Sequence, residues 1–482
     1  MTRAIALAVA VLAGCGPSVI WSGHTLDRHH RVDVIQDAGL QYVAIDGQRR
    51  AAYRGIAGRS IAFAEGHLAF AARVGTRWAI VYDGAVGEAW DAIGALVLSR
   101  TGQLAYAAER DRGWYVVFAG HAGPRFGSIV AGTLQLGRDE EGISYIGESA
   151  GRVTAVVDGK PGPIFDGIGQ LVVDGGHHAY AARLALDAYV VVDGVTSPRW
   201  AAVQKVELSA GKCAYAASNG NDWRVIEDGV AGPAVDRVLR IVISADGLHH
   251  AWVARVADQD VLAVDDIPLV AAPKLRANGI VFRPNSGGLV YVEPVLPRGE
   301  RVVIAADKGP GVGEGWRGGG PGFSPAMPSE ARRMEGPVFD EIGVPLWSAD
   351  GSHLAYAARR DRDWLIVLDG RELVGGKHVG DPVFSRDGSR FGFVARRGKQ
   401  SVAVIDGHDH PFDLAFEDTL VFSQDHRRWA IVAGDLGREQ MFIAVEGRAQ
   451  LPLPAIEIYS AAAQGAQGNV LRAWAQVEVD RP

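Results

Sequence analysis

An Asp-Gly dipeptide recurs along the chain about every 35 to 40 residues and constrains the fold more than any other feature. A two-residue β-hairpin turn needs positive φ angles, which Gly adopts freely and Asp tolerates, so each copy predicts a hairpin. The clear copies are Asp46-Gly47, Asp83-Gly84, Asp158-Gly159, Asp193-Gly194, Asp228-Gly229, Asp369-Gly370 and Asp406-Gly407. Degenerate copies raise the count to eleven: Ala119-Gly120, Asp265-Asp266, residues 307–309 and Glu446-Gly447.

A second mark with the same period is an aromatic residue inside a short run such as Leu-Ala-Tyr-Ala-Ala. Its copies are Phe70, Tyr106, Tyr145, Tyr180, Tyr215, Trp252, Tyr291, Tyr356 and Phe393, continued loosely by Ile431 and Trp474. Short runs rich in Val, Tyr and Phe and bounded by Gly turns are typical of strands. Each unit therefore predicts four strands: one like residues 420–423, the aromatic strand, the strand before Asp-Gly, and one like residues 163–168 or 337–342.

Four-stranded units of about 40 residues in series predict an all-β fold, a β-propeller of about eleven repeats. Two stretches, Trp-Ser-Ala-Asp-Gly-Ser-His-Leu at 347–354 and Phe-Ser-Arg-Asp-Gly-Ser-Arg-Phe at 384–391, resemble the TolB-type, WD-repeat-like propeller family. The resemblance covers about residues 20–480, with Ala349 and Arg386 where the family has Pro. The chain also lacks the repeated Trp-Asp dipeptide of the true WD type. The resemblance implies a propeller fold and a binding function, but it does not identify a partner.

The repeats predict two tandem propellers of about five and six blades, residues 15–240 and 241–482. The alternative is one large ring closed by both termini. It has support because the first Asp-Gly lacks an aromatic strand before it, while the strand-like residues 471–479 have no Asp-Gly after them. Such half-units could complement each other in one shared blade and hide the edge strands.

A Gly/Pro-rich segment, residues 308–335, interrupts the repeat between a third and a fourth strand. Such a composition cannot pack a core. We expect a surface loop; the sharper alternative is a binding loop in which Trp316 and Phe323 contact the ligand.

The N-terminus carries one charge, Arg3, followed by an apolar run over residues 4–13. The run is too short to span a bilayer and suits a secretory signal, so residues 1–14 are predicted to be a signal peptide. Leu12-Ala13-Gly14-Cys15 resembles the lipobox of bacterial lipoproteins. The resemblance implies that Cys15 is the lipidated first residue of the mature chain; the alternative is an ordinary signal with an incidental cysteine. Gly16 after the cysteine implies the outer membrane, with the body facing the periplasm.

Catalytic motifs are few. Residues Gly147 to Gly151 match G-x-S-x-G, but a nucleophile elbow needs a strand, this turn and then a helix, whereas strand-like runs flank it on both sides. We expect a hairpin tip and no catalytic residue. No phosphate loop or dinucleotide fingerprint occurs, so no cofactor is expected. Cys213, inside a strand pattern, is predicted to be a small buried residue rather than a reactive thiol.

Histidines occur as adjacent pairs at 29–30, 177–178 and 249–250, where the two side chains point to opposite faces of a strand. His408 and His410 could share a face near Asp413, so a metal site and a solvated turn both remain open there. Arg-rich hairpin tips at 110–112, 359–363 and 396–399 are expected to aid solubility, or to recognise an acidic partner if they lie on one rim.

The formal net charge of -7 leaves no basic footprint for nucleic acid. We expect a non-enzymatic, lipid-anchored propeller of the bacterial envelope that binds a protein or peptide as a scaffold. Its only membrane contact would be the lipid. The alternative is a propeller enzyme or glycan-binding protein with its site in the central channel, where carboxylates or histidines would converge at the inner ends of first strands.

Overall fold

The computed structural model describes residues 18–24, 31–57, 60–64, 66–99, 101–137, 142–284, 288–295, 298–305, 333–423, 425–438 and 440–453. These ranges contain 49 β-strands and 3₁₀ turns at Ala277–Gly279 and Glu417–Thr419. Within them, no helix has the length and apolar character needed to cross a bilayer. The chain divides into two compact units, Met1–Arg125 and Phe126–Pro482.

The first unit contains three sheets. Sheet 1 consists of β1 (Ser18–His24), β2 (Arg31–Asp37), β3 (Leu40–Ile45) and β4 (Gln48–Tyr53). Sheet 2 consists of β5 (Ala62–Ala64), β6 (His67–Val74), β7 (Arg77–Tyr82) and β8 (Ala85–Trp90). Sheet 3 consists of β9 (Ala92–Leu98), β10 (Leu104–Arg110), β11 (Gly113–Phe118) and β12 (His121–Ala122).

The second unit begins with sheets 4 to 7. Sheet 4 consists of β13 (Ser128–Ile129), β14 (Gln135–Leu136), β15 (Ile143–Ser149), β16 (Arg152–Val157) and β17 (Lys160–Phe165). Sheet 5 consists of β18 (Gly167–Ile168), β19 (Val172–Asp174), β20 (His177–Leu184), β21 (Asp187–Val192) and β22 (Val195–Thr196). Sheet 6 consists of β23 (Ala202–Ser209), β24 (Lys212–Ser218), β25 (Trp223–Glu227) and β26 (Val230–Ala231). Sheet 7 consists of β27 (Arg237–Ile243), β28 (His250–Val256), β29 (Gln259–Val264) and β30 (Ile267–Ala272).

Sheets 8 to 11 complete this unit. Sheet 8 consists of β31 (Val281–Phe282), β32 (Leu289–Pro294), β33 (Glu300–Ala305) and β34 (Arg333–Phe339). Sheet 9 consists of β35 (Glu341–Ile342), β36 (Leu346–Trp347), β37 (Leu354–Arg360), β38 (Asp363–Leu368) and β39 (Arg371–Gly376). Sheet 10 consists of β40 (His378–Val379), β41 (Val383–Phe384), β42 (Phe391–Arg397), β43 (Gln400–Ile405) and β44 (His408–Phe412). Sheet 11 consists of β45 (Leu414–Ala415), β46 (Val421–Phe422), β47 (Trp429–Asp435), β48 (Gln440–Val445) and β49 (Arg448–Leu453).

All eleven sheets share one topology, in which consecutive strands pair antiparallel from first to fourth. In five of them the first strand is split into two short pieces that both pair with the second strand. The chain is therefore an all-β protein built from propeller-type repeats, as the Asp-Gly period predicts. The boundary near residue 240 and the choice between two rings and one stay predictions. A single hydrophobic cluster containing Ala216, Val238 and Ile241 joins sheets 6 and 7 across that boundary.

The aromatic mark lies on the second strand of its sheet and forms the core between sheets. All nine aromatic residues are buried, from Phe393 at 0 % exposure to Tyr106 at 8 %. Ile431 takes the same place in sheet 11. Small alanines on either side let neighbouring sheets approach, and the aromatic ring fills the space between them.

The Asp-Gly turns lie between third and fourth strands, with both residues at positive φ, as at Asp369 (49°) and Gly370 (77°). The carboxylate has a second role, because it also binds the start of the second strand. Oδ1 of Asp369 accepts the Leu354 N–H at 2.9 Å, and Oδ2 lies 2.7 Å from Nδ1 of His353. The same backbone bond recurs at Asp83, Asp158, Asp193, Asp228, Asp265 and Asp406.

The predicted fourth strands 163–168 and 337–342 are wrong at their C-terminal ends. The fourth strand stops at Phe165 or Phe339, and Ile168 and Ile342 belong to the next sheet. The pairing ends at an aspartate, where the chain passes from one sheet to the next. Between sheets 4 and 5 this residue is Asp166, which accepts the N–H of Ala185 at the hairpin tip of sheet 5. An equivalent aspartate accepts a backbone N–H at the hairpin tip of sheets 3, 7, 9 and 11. These aspartates are Asp91, Asp236, Asp340 and Asp413, respectively.

The predicted half-unit at the start of the chain is also wrong. Sheet 1 has all four strands within residues 18–53, and buried Asp33 on β2 stands at the register position where nine other sheets carry the aromatic residue. Residues 471–479 lie outside the described residues, so their pairing stays a prediction. The Gly/Pro-rich segment falls between β33 and β34, which pair with each other, but its predicted end at residue 335 is wrong because β34 begins at Arg333.

Candidate functional site

A groove of about 710 Å³ lies between sheets 9 and 10. Two hairpin tips border it: tip 9, residues 360–363, joins β37 to β38, and tip 10, residues 396–398, precedes β43. The C-terminal half of β39 forms the floor between them. These are two of the three Arg-rich tips seen in the sequence, and the fold brings them to one site.

The floor of the groove passes through two glycines, the buried Gly375 and the half-buried Gly376. A Cβ atom added at Gly375 would collide with the carbonyl oxygen of Trp364, and one at Gly376 with that of Arg396. Both positions therefore require glycine because main chains approach too closely for any side chain. Beside them Val374 is 77 % exposed. The floor thus joins the main chains of two sheets and presents one exposed aliphatic side chain, that of Val374.

Arg397 fixes the floor in place. Its Nε donates to the Gly375 carbonyl at 3.0 Å, and Nη2 donates to the Val374 carbonyl at 2.7 Å. Its third nitrogen, Nη1, binds the carboxylate of Asp409 on β44. A guanidinium presents its donors in a rigid planar fork, so this contact ties the outer strand of sheet 9 to sheet 10.

Most charges along the groove are paired. Arg360 binds Glu372 through two hydrogen bonds of 2.7 Å, and this partner lowers the pKa of the Glu372 carboxyl. Lys377 Nζ lies 2.7 Å from Asp363. Half-buried Trp364 and Leu373 lie among these pairs. The groove therefore combines a partly apolar centre with a charged border.

The predicted site residues Cys15, Trp316 and Phe323 lie outside the described residues. Cys213 is confirmed as buried: it is 2 % exposed, carries a free thiol, and burial raises its pKa to about 12.

The G-x-S-x-G pentapeptide forms the hairpin tip between β15 and β16, as predicted. Ser149 Oγ accepts the Gly127 N–H at 3.0 Å, and Glu148 binds Ser128 and the Gly151 N–H. A second strand follows the serine directly, so the helix required by a nucleophile elbow does not follow this turn.

The histidine pairs at 177–178 and 249–250 lie on second strands or at their start, and 29–30 lie outside the described residues. His408 and His410 share β44, but the His410 ring packs on Trp429 with centroids 4.8 Å apart, and burial lowers its pKa. Asp413 instead accepts the Leu436 N–H. Within the described ranges, no group of three or more His, Cys, Asp or Glu side chains is arranged to hold a metal ion.

Sequence reasoning missed a buried charge cluster between sheets 6 and 7. His250 is 3 % exposed; its Nδ1 lies 3.1 Å from Glu227 and its Nε2 lies 3.5 Å from Asp266. Trp252 Nε1 donates to the same Asp266 oxygen at 2.8 Å. Burial favours the neutral imidazole, but the two carboxylates outweigh it and raise the pKa of His250 to about 10. The adjacent His249 lies 2.7 Å from Asp265, and His250 Nδ1 lies 3.6 Å from the other oxygen of the same carboxylate, so the two histidines share a neighbour although they were predicted to point to opposite faces.

A second missed feature is Glu207 on β23, the first strand of sheet 6. The strand bulges between Gln204 and Glu207, and Lys205 has a positive φ of 57°. Burial raises the pKa of Glu207, and the charges of Arg240 and Lys205 only partly offset it. The nearest sequence signal is the pair of charges inside an otherwise apolar run.

No family model matches the chain, and no curated protein does. Among solved structures it is similar to a eukaryotic initiation factor (14 % identity, 71 % of this chain and 94 % of that one, TM-score 0.34). It is also similar to TolB from Acinetobacter baumannii (12 %, 59 % and 78 %, 0.27) and to the β-propeller domain of the Trilobed protease from Pyrococcus furiosus (11 %, 59 % and 94 %, 0.30). These similarities are too distant to bear on function or partner.

Proposed function

We propose that this chain is a lipid-anchored scaffold of the bacterial envelope that binds a segment of another protein in the groove between sheets 9 and 10. It has no catalytic role in this proposal. The anchor would be Cys15 in its lipobox-like context, with the body facing the periplasm from the outer membrane.

The groove is the observation that carries the binding role. A valine exposed at 77 % beside a floor of two obligatory glycines loses free energy to water that a bound apolar side chain would recover. Arg397 holds this floor rigid before any partner arrives, and preorganised sites bind at a lower entropic cost.

Site-directed photo-crosslinking in the full chain tests the binding role. A photoreactive residue in place of Val374 should give a discrete crosslinked product in a bacterial envelope. The same residue in place of Val195, exposed at 72 % on β22 of sheet 5, should not. The partner, identified by mass spectrometry and purified, should bind the purified chain and the Val195→Asp variant but lose at least tenfold in affinity for Val374→Asp.

Either of two results would overturn the proposal. Equal crosslinking from both positions, or equal affinity for both aspartate variants, would remove the groove from any binding role.

The anchor has a separate test in cell fractionation. The wild-type chain should partition with outer membranes and carry a lipid mass on its first residue, whereas Cys15→Ala should leave an unlipidated chain. A wild-type chain without lipid on Cys15 would contradict the anchor and leave the groove untouched.

A further inference from the structure

Two charged side chains on the border of the groove lack an ion-pair partner in the described part of the chain. Five of the seven charged lining residues are neutralised by partners: Arg360 and Glu372 bind each other, as do Lys377 and Asp363, and Arg397 binds Asp409. The remaining two are Asp361 on tip 9 and Arg396 on tip 10, both exposed. These two charges have no ion-pair partner among the described lining residues, although Asp361, after Glu372, also helps to raise the pKa of the neighbouring Arg360.

The two unpaired charges belong to different sheets. Asp361 is held by its backbone, because its N–H donates to Asp340 at 2.6 Å and its carbonyl accepts from Arg359 at 3.1 Å. Arg396 follows the buried Ala395 on β42, and its backbone carbonyl accepts the Lys377 N–H at 2.9 Å. Both positions are thus fixed in the main chain, while their charged ends remain available to a ligand.

We infer that the groove takes an extended peptide in which an aliphatic residue stands between an acidic and a basic residue. The inference rests on the proposed function and names the chemistry of its partner. The aliphatic side chain would contact Val374 and Leu373. The acidic side chain would bind the Arg396 guanidinium, which suits a carboxylate by geometry, and the basic one would bind Asp361.

The glycines of the floor hold the main chains of sheets 9 and 10 close together, since the space of a side chain at Gly375 or Gly376 is filled by the carbonyl oxygens of Trp364 and Arg396. The side chain that the floor presents to a ligand is that of Val374. Strand addition along this part of β39 is excluded, because Arg397 already occupies the carbonyl oxygens of Val374 and Gly375. Recognition would therefore depend on side chains rather than on a β-ladder.

The test measures binding of capped, fluorescent octapeptides to the purified full chain by polarisation. The probes place Glu-Leu-Lys, Lys-Leu-Glu, Glu-Leu-Glu, Lys-Leu-Lys or Gln-Leu-Gln at the centre of a Gly-Ser frame. One of the two mixed-charge probes should bind at least tenfold more tightly than the three others. The Arg396→Glu variant should lose that preference and favour Lys-Leu-Lys, whereas Arg386→Glu, an exposed arginine outside the groove, should leave it unchanged.

The outcomes separate this inference from the proposed function. Tight binding that Val374→Asp abolishes but that shows no preference for mixed charge would overturn the inference and leave the groove as a binding site. A charge preference that Arg396→Glu does not change would also overturn it. If no probe binds while Val374 still crosslinks a partner, the inference fails and the proposed function stands. Unchanged thermal midpoints of the variants exclude misfolding as the cause.

Discussion

The carboxylate of Glu227 in sheet 6 lies 3.1 Å from Nδ1 of the buried His250 in sheet 7. With Asp266 on the other side of the ring, the imidazole is held as a cation between two sheets, and its pKa rises from 6.5 to about 10. A charge removed from water in this way stabilises the fold only while its partners are present.

Replacing His250 with Gln should therefore destabilise the chain in a pH-dependent way. Because the folded pKa is the higher one, the stabilisation is fully present below about pH 6.5 and is lost as pH rises through about 10. We expect a cost of about 3 kcal/mol at pH 6 that shrinks by pH 10. Urea unfolding at pH 6, 8 and 10 measures it.

The neighbouring His249 provides the control, since it forms only a partly exposed pair with Asp265. His249→Gln should cost less than about 1 kcal/mol. An equal cost for both variants, or a His250→Gln cost that does not change with pH, would contradict the account of the buried cation.

The Asp-Gly carboxylate should contribute more than its turn. In Asp369→Ala the Leu354 N–H loses its acceptor, and Ala also tolerates the φ of 49° poorly. Asp369→Asn keeps an oxygen acceptor and a residue suited to that φ. We expect the alanine variant to be about 1 to 2 kcal/mol less stable than the asparagine variant in urea unfolding. Equal stabilities would mean that Asp serves only as a turn residue.

Much of the fold follows from the sequence because its two marks are local and physical. A positive φ at Asp-Gly fixes a hairpin, and a recurrent aromatic flanked by alanines fixes the buried strand. The sequence did not predict the second strand of sheet 1, because its buried residues Val32 and Val34 are not aromatic. The ends of the fourth strands were not predicted correctly, because no break in the hydrophobic pattern marks them. The pairing ends instead at a residue such as Asp166, whose side chain bonds to the next sheet.

The groove could be anticipated only in part. The sequence indicates that Arg-rich tips recur, but their meeting at one site depends on the packing of sheet 9 against sheet 10. Which charges neutralise each other is not visible in sequence either: Arg360 and Glu372 are 12 residues apart, whereas Arg397 binds the backbone of a strand 22 residues earlier. Such contacts follow from register and from the neighbouring sheet, and no local pattern encodes them.

The glycines of the groove floor should be intolerant of any side chain. Gly376→Ala would drive a methyl group into the Arg396 carbonyl and separate sheet 9 from sheet 10. We expect a loss of about 1 to 3 kcal/mol, the range for an overpacked site. Gly167→Ala is the matched control, because nothing lies within 4 Å of its added Cβ and its φ is ordinary. Thermal unfolding of both variants measures the difference, and similar midpoints would show that the floor can move apart.

Two glutamates in the second unit should respond to neutralisation with opposite signs. Burial raises the pKa of Glu207, so its carboxyl favours folding below the ordinary pKa of 4.5, and this stabilisation is lost as pH rises through the folded value. Arg360 lowers the pKa of Glu372, so that carboxylate stabilises the fold above pH 4.5 and loses its effect as pH falls through the lower folded value. At pH 8, Glu207→Gln should therefore raise the free energy of unfolding in urea, while Glu372→Gln should lower it by about 0.5 kcal/mol, the scale of an exposed ion pair.

Acid should remove both differences once each carboxyl is neutral in the folded and the unfolded chain, which for Glu372 requires a pH below its lowered folded pKa. Unfolding curves of the three proteins at pH 8 and in steps from about pH 5 to below about pH 3 provide the comparison. A Glu207→Gln chain less stable than wild type at pH 8 would mean that the attraction of Arg240 and Lys205 exceeds the cost of burial. The carboxylate at the bulge of β23 would then be a stabilising anion, with its pKa shift reversed in sign.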